Sequence, residues 1–163
     1  MSTHRVHVRE QLETVHEGVT PFVRTAVYRD ALTIARRLRP EDLLDLHGEP
    51  PVTAMTGGFE LSREPLTVVF RGRPVAMFGV VPWEDGSGVG NVWLLGTPAI
   101  EEIKTPFLRQ SRDWLDHISR GFTGLRNQVH EGNVLHIKWL RWLEFTFIRR
   151  QHGFMEFAKC VNQ

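Results

Sequence analysis

The stretch from Asn127 to Phe147 constrains the fold of this chain more than any other. Leu125 to Val129 reads as a strand, Glu131-Gly132 as a turn, and Asn133 stands where a helix N-cap accepts a backbone N–H. Leu135, Ile137, Trp139, Leu140, Trp142 and Leu143 then give a wide apolar face, with Lys138 and Arg141 on the wetter side. Phe145 to Ile148 returns to a strand-like run. A tryptophan buries roughly 150–250 Å², so the helix, with Trp139 and Trp142 both inward, is expected to belong to the core.

The length of 163 residues suits one domain whose core needs no staples. A formal charge of +1 argues against wholesale nucleic-acid binding, which favours a basic footprint. Cys160 is the single cysteine, which excludes an intrachain disulfide and a cysteine-rich zinc site. No apolar run approaches the ~20 residues of a membrane span, and the N-terminus lacks an apolar signal core, so synthesis in the cytoplasm is expected. Residues 1–21 read as a polar arm, in which Arg5 to Arg9 alternates like an edge strand or a docking segment. Residues 22–163 read as one domain.

Within that domain, Phe22 to Tyr28 is the expected first strand, and Asp30 the cap of the helix behind it. Arg39-Pro40-Glu41-Asp42 restarts a helical run that ends near His47-Gly48. Glu41, Asp42 and Asp45 are acid/base candidates, although a helix N-terminus attracts acids without chemistry, and that reading is preferred. Leu66–Phe70 and Pro74–Val81 are strands joined at Arg71-Gly72-Arg73, where Gly72 takes the positive φ of a tight turn. A third strand, Asn91–Leu95, completes a meander. The glycine-rich segment before it joins strand to strand, so it lacks the helix that a phosphate cradle requires. His130, Glu131 and His136 invite a metal reading, but a separation of six positions between the histidines matches no i, i+4 ligand pair; a capping or core-polar role is expected for His136. Asn127 and Asn133 are read as ties between splayed strands and the turn. Arg149, Arg150 and Lys159 are read as a solvated strand face, and Phe154–Ala158 as a final strand at the sheet edge.

These residues carry a family resemblance. Asn133, Ile137, Trp139, Leu140, Leu143 and Phe145 resemble the signature of the last helix and following strand in GNAT-type N-acetyltransferase folds. With Leu125, Asn127, Val129, His136 and Trp142 added, the pattern is similar to a GNAT-like internal virion or internal core protein family of short-tailed phages. Arg39-Pro40-x-Asp42, Gly72-x-Pro74-x-Ala76-Met77-Phe78-Gly79 and Trp93-x-Leu95-Gly96-Thr97 fit the same family, and the resemblance spans roughly residues 22–157, most of the chain. The resemblance implies an α+β fold: a mixed, mostly antiparallel sheet of six or seven strands with helices on both faces. It further implies a non-enzymatic bacteriophage structural protein in the virion. Its partners would be core, portal or tail components or a second copy, with no membrane and no strong nucleic-acid signal.

Two departures from the enzymes of this fold support that expectation. Their turn after the fourth strand carries Arg/Gln-x-x-Gly-x-Gly/Ala, which binds the coenzyme A pyrophosphate through backbone N–H groups. Here Gly96 to Pro106 lacks the glycines, Pro98 and Pro106 remove donors, Glu101 and Glu102 bring negative charge, and Thr105 is expected to cap a long helix. The family tyrosine that protonates the leaving thiolate aligns with Leu140, and the glycine before the next strand aligns with Glu144. No catalytic, cofactor-binding or metal residue is therefore assigned. Asn127, Asn133, His136, Trp139 and Trp142 form the structural motif, and no cofactor is expected. The alternative is an N-acetyltransferase that uses acetyl-CoA through a degenerate site, with Glu41 or Glu144 as base. A small inhibitor of a host enzyme is disfavoured by the balanced charge.

Overall fold

The computed structural model describes residues 20–161. The arm expected at 1–21 therefore lies almost wholly outside the described residues. The elements are β1 (Phe22–Thr25), α1 (Tyr28–Ala35), α2 (Pro40–Leu44), α3 (Pro51–Leu61), β2 (Leu66–Phe70), β3 (Arg73–Pro82), β4 (Val89–Gly96), a 3-10 turn (Pro98–Glu101), α4 (Lys104–Ile118), β5 (Gly124–His130), α5 (Val134–Trp142), β6 (Thr146–Gln151) and β7 (Phe154–Cys160). Prolines open α2 and α3, where a missing N–H costs nothing. Arg71 and Gly72, at φ 51° and 72°, make the tight turn between β2 and β3.

The strands form one sheet in the order β1-β2-β3-β4-β5-β7-β6. Every neighbouring pair is antiparallel except β4 and β5, which run parallel. That pair is short: Val89, Gly90 and Asn91 meet Gly124, Leu125 and Arg126, and then the strands part. Gly90 sits at this junction because a Cβ there would come within 2.3 Å of Val80 and 2.8 Å of Phe122.

Helices cover both faces, as the resemblance implies. On one face Ile34 and Ala35 of α1, Leu46 and Met55 pack on Met77 and Leu95. On the other, Phe107, Trp114 and Leu115 of α4 and Ile137 and Trp139 of α5 pack on Phe78, Val80, Leu125, Val129 and Phe157. At roughly 25 cal/mol per Å² of apolar surface, these two layers supply the drive to fold.

Several local expectations change. β1 ends at Thr25, and Tyr28 opens α1. Asp30 is the third residue of that helix; its carboxylate reaches back to Val27 N–H (2.9 Å) and also takes bonds from Arg24 (2.7 Å) and Thr67 (2.9 Å). The helix start is thereby fastened to β1 and β2. α4 begins at Lys104 without a side-chain cap, so Thr105 does not play that part. β7 lies between β5 and β6, which leaves β6 as the edge. Trp142 is 43% exposed. It ends a nine-residue helix and lies beneath Arg112, whose guanidinium is 4.2 Å from the ring centre, so a cation–π contact takes the place of burial.

Candidate functional site

The parting of β4 from β5 exposes backbone that a sheet would otherwise pair, and several of the exposed groups are met one by one. Asn127 stands at the apex. Its Nδ2 donates to Val92 O on β4 (2.8 Å), and its Oδ1 accepts Gln128 N–H on β5 (2.8 Å). The mouth is closed by α2 and its flanking residues. Gly96 N–H donates to Asp42 Oδ2 (2.8 Å), Gly96 O accepts Arg39 N–H (2.8 Å), and His130 N–H donates to Asp45 Oδ1 (2.8 Å). Backbone groups two residues apart point the same way along a strand. Leu94, midway between Val92 and Gly96, therefore aims its N–H and C=O into the opening.

A buried polar network ties the mouth together. Asn133 Nδ2 lies 2.9 Å from Asp42 Oδ1, 2.9 Å from Asp45 Oδ2 and 3.1 Å from His136 Nδ1, while Asn133 Oδ1 accepts from Arg39 Nη2. Arg39 also reaches Asp42 Oδ1 (3.1 Å) and Glu101 Oε1 (3.0 Å). Asp42 and Asn133 are completely buried. Burial works against the charge on Arg39, but Asp42, Glu101 and Glu41 outweigh it and hold the guanidinium above its ordinary pKa. An uncompensated Asp42 here would be prohibitive; with Arg39 it becomes a tie.

The network includes one group with the donor types of a metal site. Ligand atoms of Asp42, Asp45 and His136 lie within 4.8 Å of one another. The chemistry does not favour an ion, because the Asn133 amide occupies the space among them and Arg39 already supplies positive charge. Each carboxylate oxygen accepts a protein donor.

Between apex and mouth, a cleft of about 370 Å³ runs through the sheet. Its α3 side is lined by Asp45, His47, Glu49, Gly58 and Trp93, and its α4–α5 side by Phe107, Ser111, Trp114, His136, Trp139 and Leu140. Among the described residues no lysine or arginine lines it. Gly58 lets α3 approach Trp93, since a Cβ would meet that ring at 2.8 Å. His47, in the left-handed region at φ 52°, stacks on Phe154 with ring centres 3.8 Å apart. His136 stacks on Trp139. Its Nε2 is 3.3 Å from Asp42 Oδ1 but out of line for a hydrogen bond, and is buried without one.

The structure thus gathers Asn127, Asn133, His136 and Trp139 around the opening and leaves Trp142 exposed, outside the cleft lining. Asn133 occupies the N-cap position, yet its side chain caps nothing and serves the network instead. The bases proposed for the enzymatic alternative are misplaced. Glu41 sits beside Arg39 (3.9 Å), and Glu144 is exposed at φ 66°; neither lines the cleft. That positive φ accounts for the family's glycine at the position of Glu144. Arg39 and Asp42 were missed as partners of Asn133. Their i, i+3 spacing across Pro40 was legible, but Asn133 lies 94 positions from Arg39.

Order of strands, the β4–β5 opening and the helices flanking it define the GNAT fold. The match to solved structures is to proteins of that class. The GNAT domain of S. lividans PAT aligns at a TM-score of 0.67 and 15% identity, over 85% of this chain and 89% of that one. Aminoglycoside acetyltransferase AAC(6')-Ib, solved with coenzyme A, aligns at 0.61 and 13%, over 86% and 95%. The PaiA N-acetyltransferase of Thermoplasma acidophilum, also with coenzyme A, aligns at 0.61 and 12%, over 87% and 99%. No protein-family model and no curated protein matches the chain. At such identities the likeness is one of fold.

These findings correct the expectation of a non-enzymatic virion part. The matched structures are acetyltransferases, and nothing in the comparisons supports a phage-particle, tail or assembly role. The expectation rested on the resemblance to a phage family, which no comparison supports, and on the lost glycines and tyrosine. It undervalued the opening, which is kept and lined as a cleft.

Proposed function

We propose that this chain is an acyltransferase that moves an acyl group, acetyl in the simplest case, from a coenzyme A-type thioester to an amine. The observation that carries this reading is the opening between β4 and β5, with its transverse cleft and the Leu94 backbone aimed into it. A thioester donor carries an amide-bearing arm. Leu94 offers one donor and one acceptor to such an amide, as a neighbouring strand would. The apolar walls formed by Phe107, Trp114 and Leu140 exclude water, which protects a thioester from hydrolysis.

In the reaction the amine nitrogen bonds to the acyl carbon, the C–S bond breaks, the amine gives up a proton and the sulfur gains one. On the α3 side, Asp45 is engaged by His130 N–H and Asn133. His47 and Glu49 are then the candidates to take the amine proton, and two carboxylates with no lysine or arginine beside them among the described lining residues favour a cationic amine at that end. On the other side, His136 lies one helical turn before Leu140 on the same face of α5. It is the titratable side chain of α5 that lines the cleft, and to it we assign the proton that Leu140 has no means to give.

The test is thiol release from acetyl-CoA in the presence of a panel of primary amines, with the amide identified by mass spectrometry. Amine-dependent release is expected. No release with any amine, together with no calorimetric binding of acetyl-CoA at millimolar concentration, would overturn the reading.

A further inference from the structure

We infer that the donor is recognised through its pantetheine arm and not through its nucleotide, so that a pantetheine thioester lacking the nucleotide serves as well as the coenzyme A thioester. The inference rests on the acyl-transfer reading and names the donor class for the same cleft. The turn after β4 is the place where this fold would meet a pyrophosphate, and here four of its donors are spent internally. Thr97 N–H goes to Val75 O (2.8 Å), Ile100 N–H to Thr97 O (3.1 Å), Glu102 N–H to Ala99 O (3.1 Å) and Ile103 N–H to Ile100 O (3.2 Å). Pro98 and Pro106 have no N–H to give.

The charges point the same way. Glu101 and Glu102 stand on this turn against a single cation, Lys104. The buried guanidinium behind it, Arg39, is already held by Asp42, Glu101 and Asn133, with Glu41 3.9 Å away. A pyrophosphate would have to displace the Glu101 carboxylate from Arg39 and remain beside two others. A carboxylate of the chain thus holds the cation that a diphosphate needs. The cleft, by contrast, keeps its length, its apolar walls and the Leu94 rung for the arm.

The experiment measures dissociation constants of coenzyme A, 4'-phosphopantetheine and pantetheine by calorimetry, on the wild-type chain and on the Glu101→Gln/Glu102→Gln double variant. For the wild type all three are expected to agree within about threefold, a fraction of the ~1.4 kcal/mol that a factor of ten represents. The double variant is expected to bind coenzyme A more tightly and pantetheine unchanged. Phosphopantetheine tighter than both others would place the donor on a phosphate-linked arm, such as that of a carrier protein, and still without nucleotide recognition. Coenzyme A binding more than about thirtyfold tighter than pantetheine would overturn the inference and leave the acyl-transfer reading standing. No binding of any of the three would overturn both. Circular dichroism of the double variant checks its fold, and Glu101, whose side chain is 55% exposed, tolerates the change.

Discussion

The β4–β5 opening and the turn that follows β4 are neighbours in sequence and have been treated oppositely. In the opening, backbone groups left by the parting strands are met by specific side chains or backbone groups, Asn127 at the apex and Arg39, Asp42 and Asp45 at the mouth, while the Leu94 rung faces the cleft. In the turn, the backbone closes upon itself in a 3-10 winding and exposes acidic side chains. One region is a fixed slot held by buried charges, and the other a surface that bonds to itself. A scaffold can therefore preserve the place where an acyl group reacts while discarding the place where a nucleotide is gripped.

The sharpest way to break this contrast is at Arg39. Arg39→Met removes the countercharge of the buried Asp42, and a loss of about 3–5 kcal/mol is expected in urea denaturation. A loss below about 1 kcal/mol would show that the mouth is no more than a surface ion pair. Next is Asn127→Ala, which strands Val92 O and Gln128 N–H; about 1–3 kcal/mol is expected by the same assay. His136→Gln keeps a polar group on α5 but no acid. It is expected to lower kcat about 100-fold, with KM little changed, in the thiol-release assay. An equal loss in a His152→Gln control, an exposed histidine in the turn between β6 and β7, would remove the special role of His136.

Asp30 provides a further, pH-dependent comparison, at another point where a helix is tied to the sheet. Burial by itself raises its pKa, but the bonds from Arg24, Val27 N–H and Thr67 outweigh it and leave the folded value below that of the unfolded chain. Its contribution to stability is then complete above the ordinary carboxylate value of about 4 and is lost as pH falls through the lower, folded value. The stability gap between wild type and Asp30→Asn should accordingly be constant near neutrality and shrink in acid. A gap that widened in acid would reverse the assignment. The smallest effect belongs to the turn. Glu102→Gln should change stability by less than about 0.5 kcal/mol, as thermal melting would record.

The fold was legible because its signals are local: strand alternation, the Arg71-Gly72 hairpin, prolines at helix starts, and the apolar faces of α4 and α5. Asn127 and Asn133 were also singled out, since asparagines beside a turn and a strand end are conspicuous. What they bond to was not legible. Asn133 reads as a cap because the nine residues after it form a helix, but its side chain answers to Arg39 and Asp42, fixed by a sheet that only the whole chain builds. The cleft was missed for a related reason. Lost glycines and a lost tyrosine can be counted along the chain, whereas an opening between two parallel strands is defined by bonds that are not made.

The span of the Arg39–Asn133 tie also bears on the order of folding. A contact across 94 residues is a late event, because the loop it closes must first be shortened by the meander and by α4. Its bonds should be scarcely formed in the transition state. Weakening them would then speed unfolding while leaving the refolding rate nearly untouched. The lifetime of the native chain, more than its speed of assembly, would be set at the mouth of the opening.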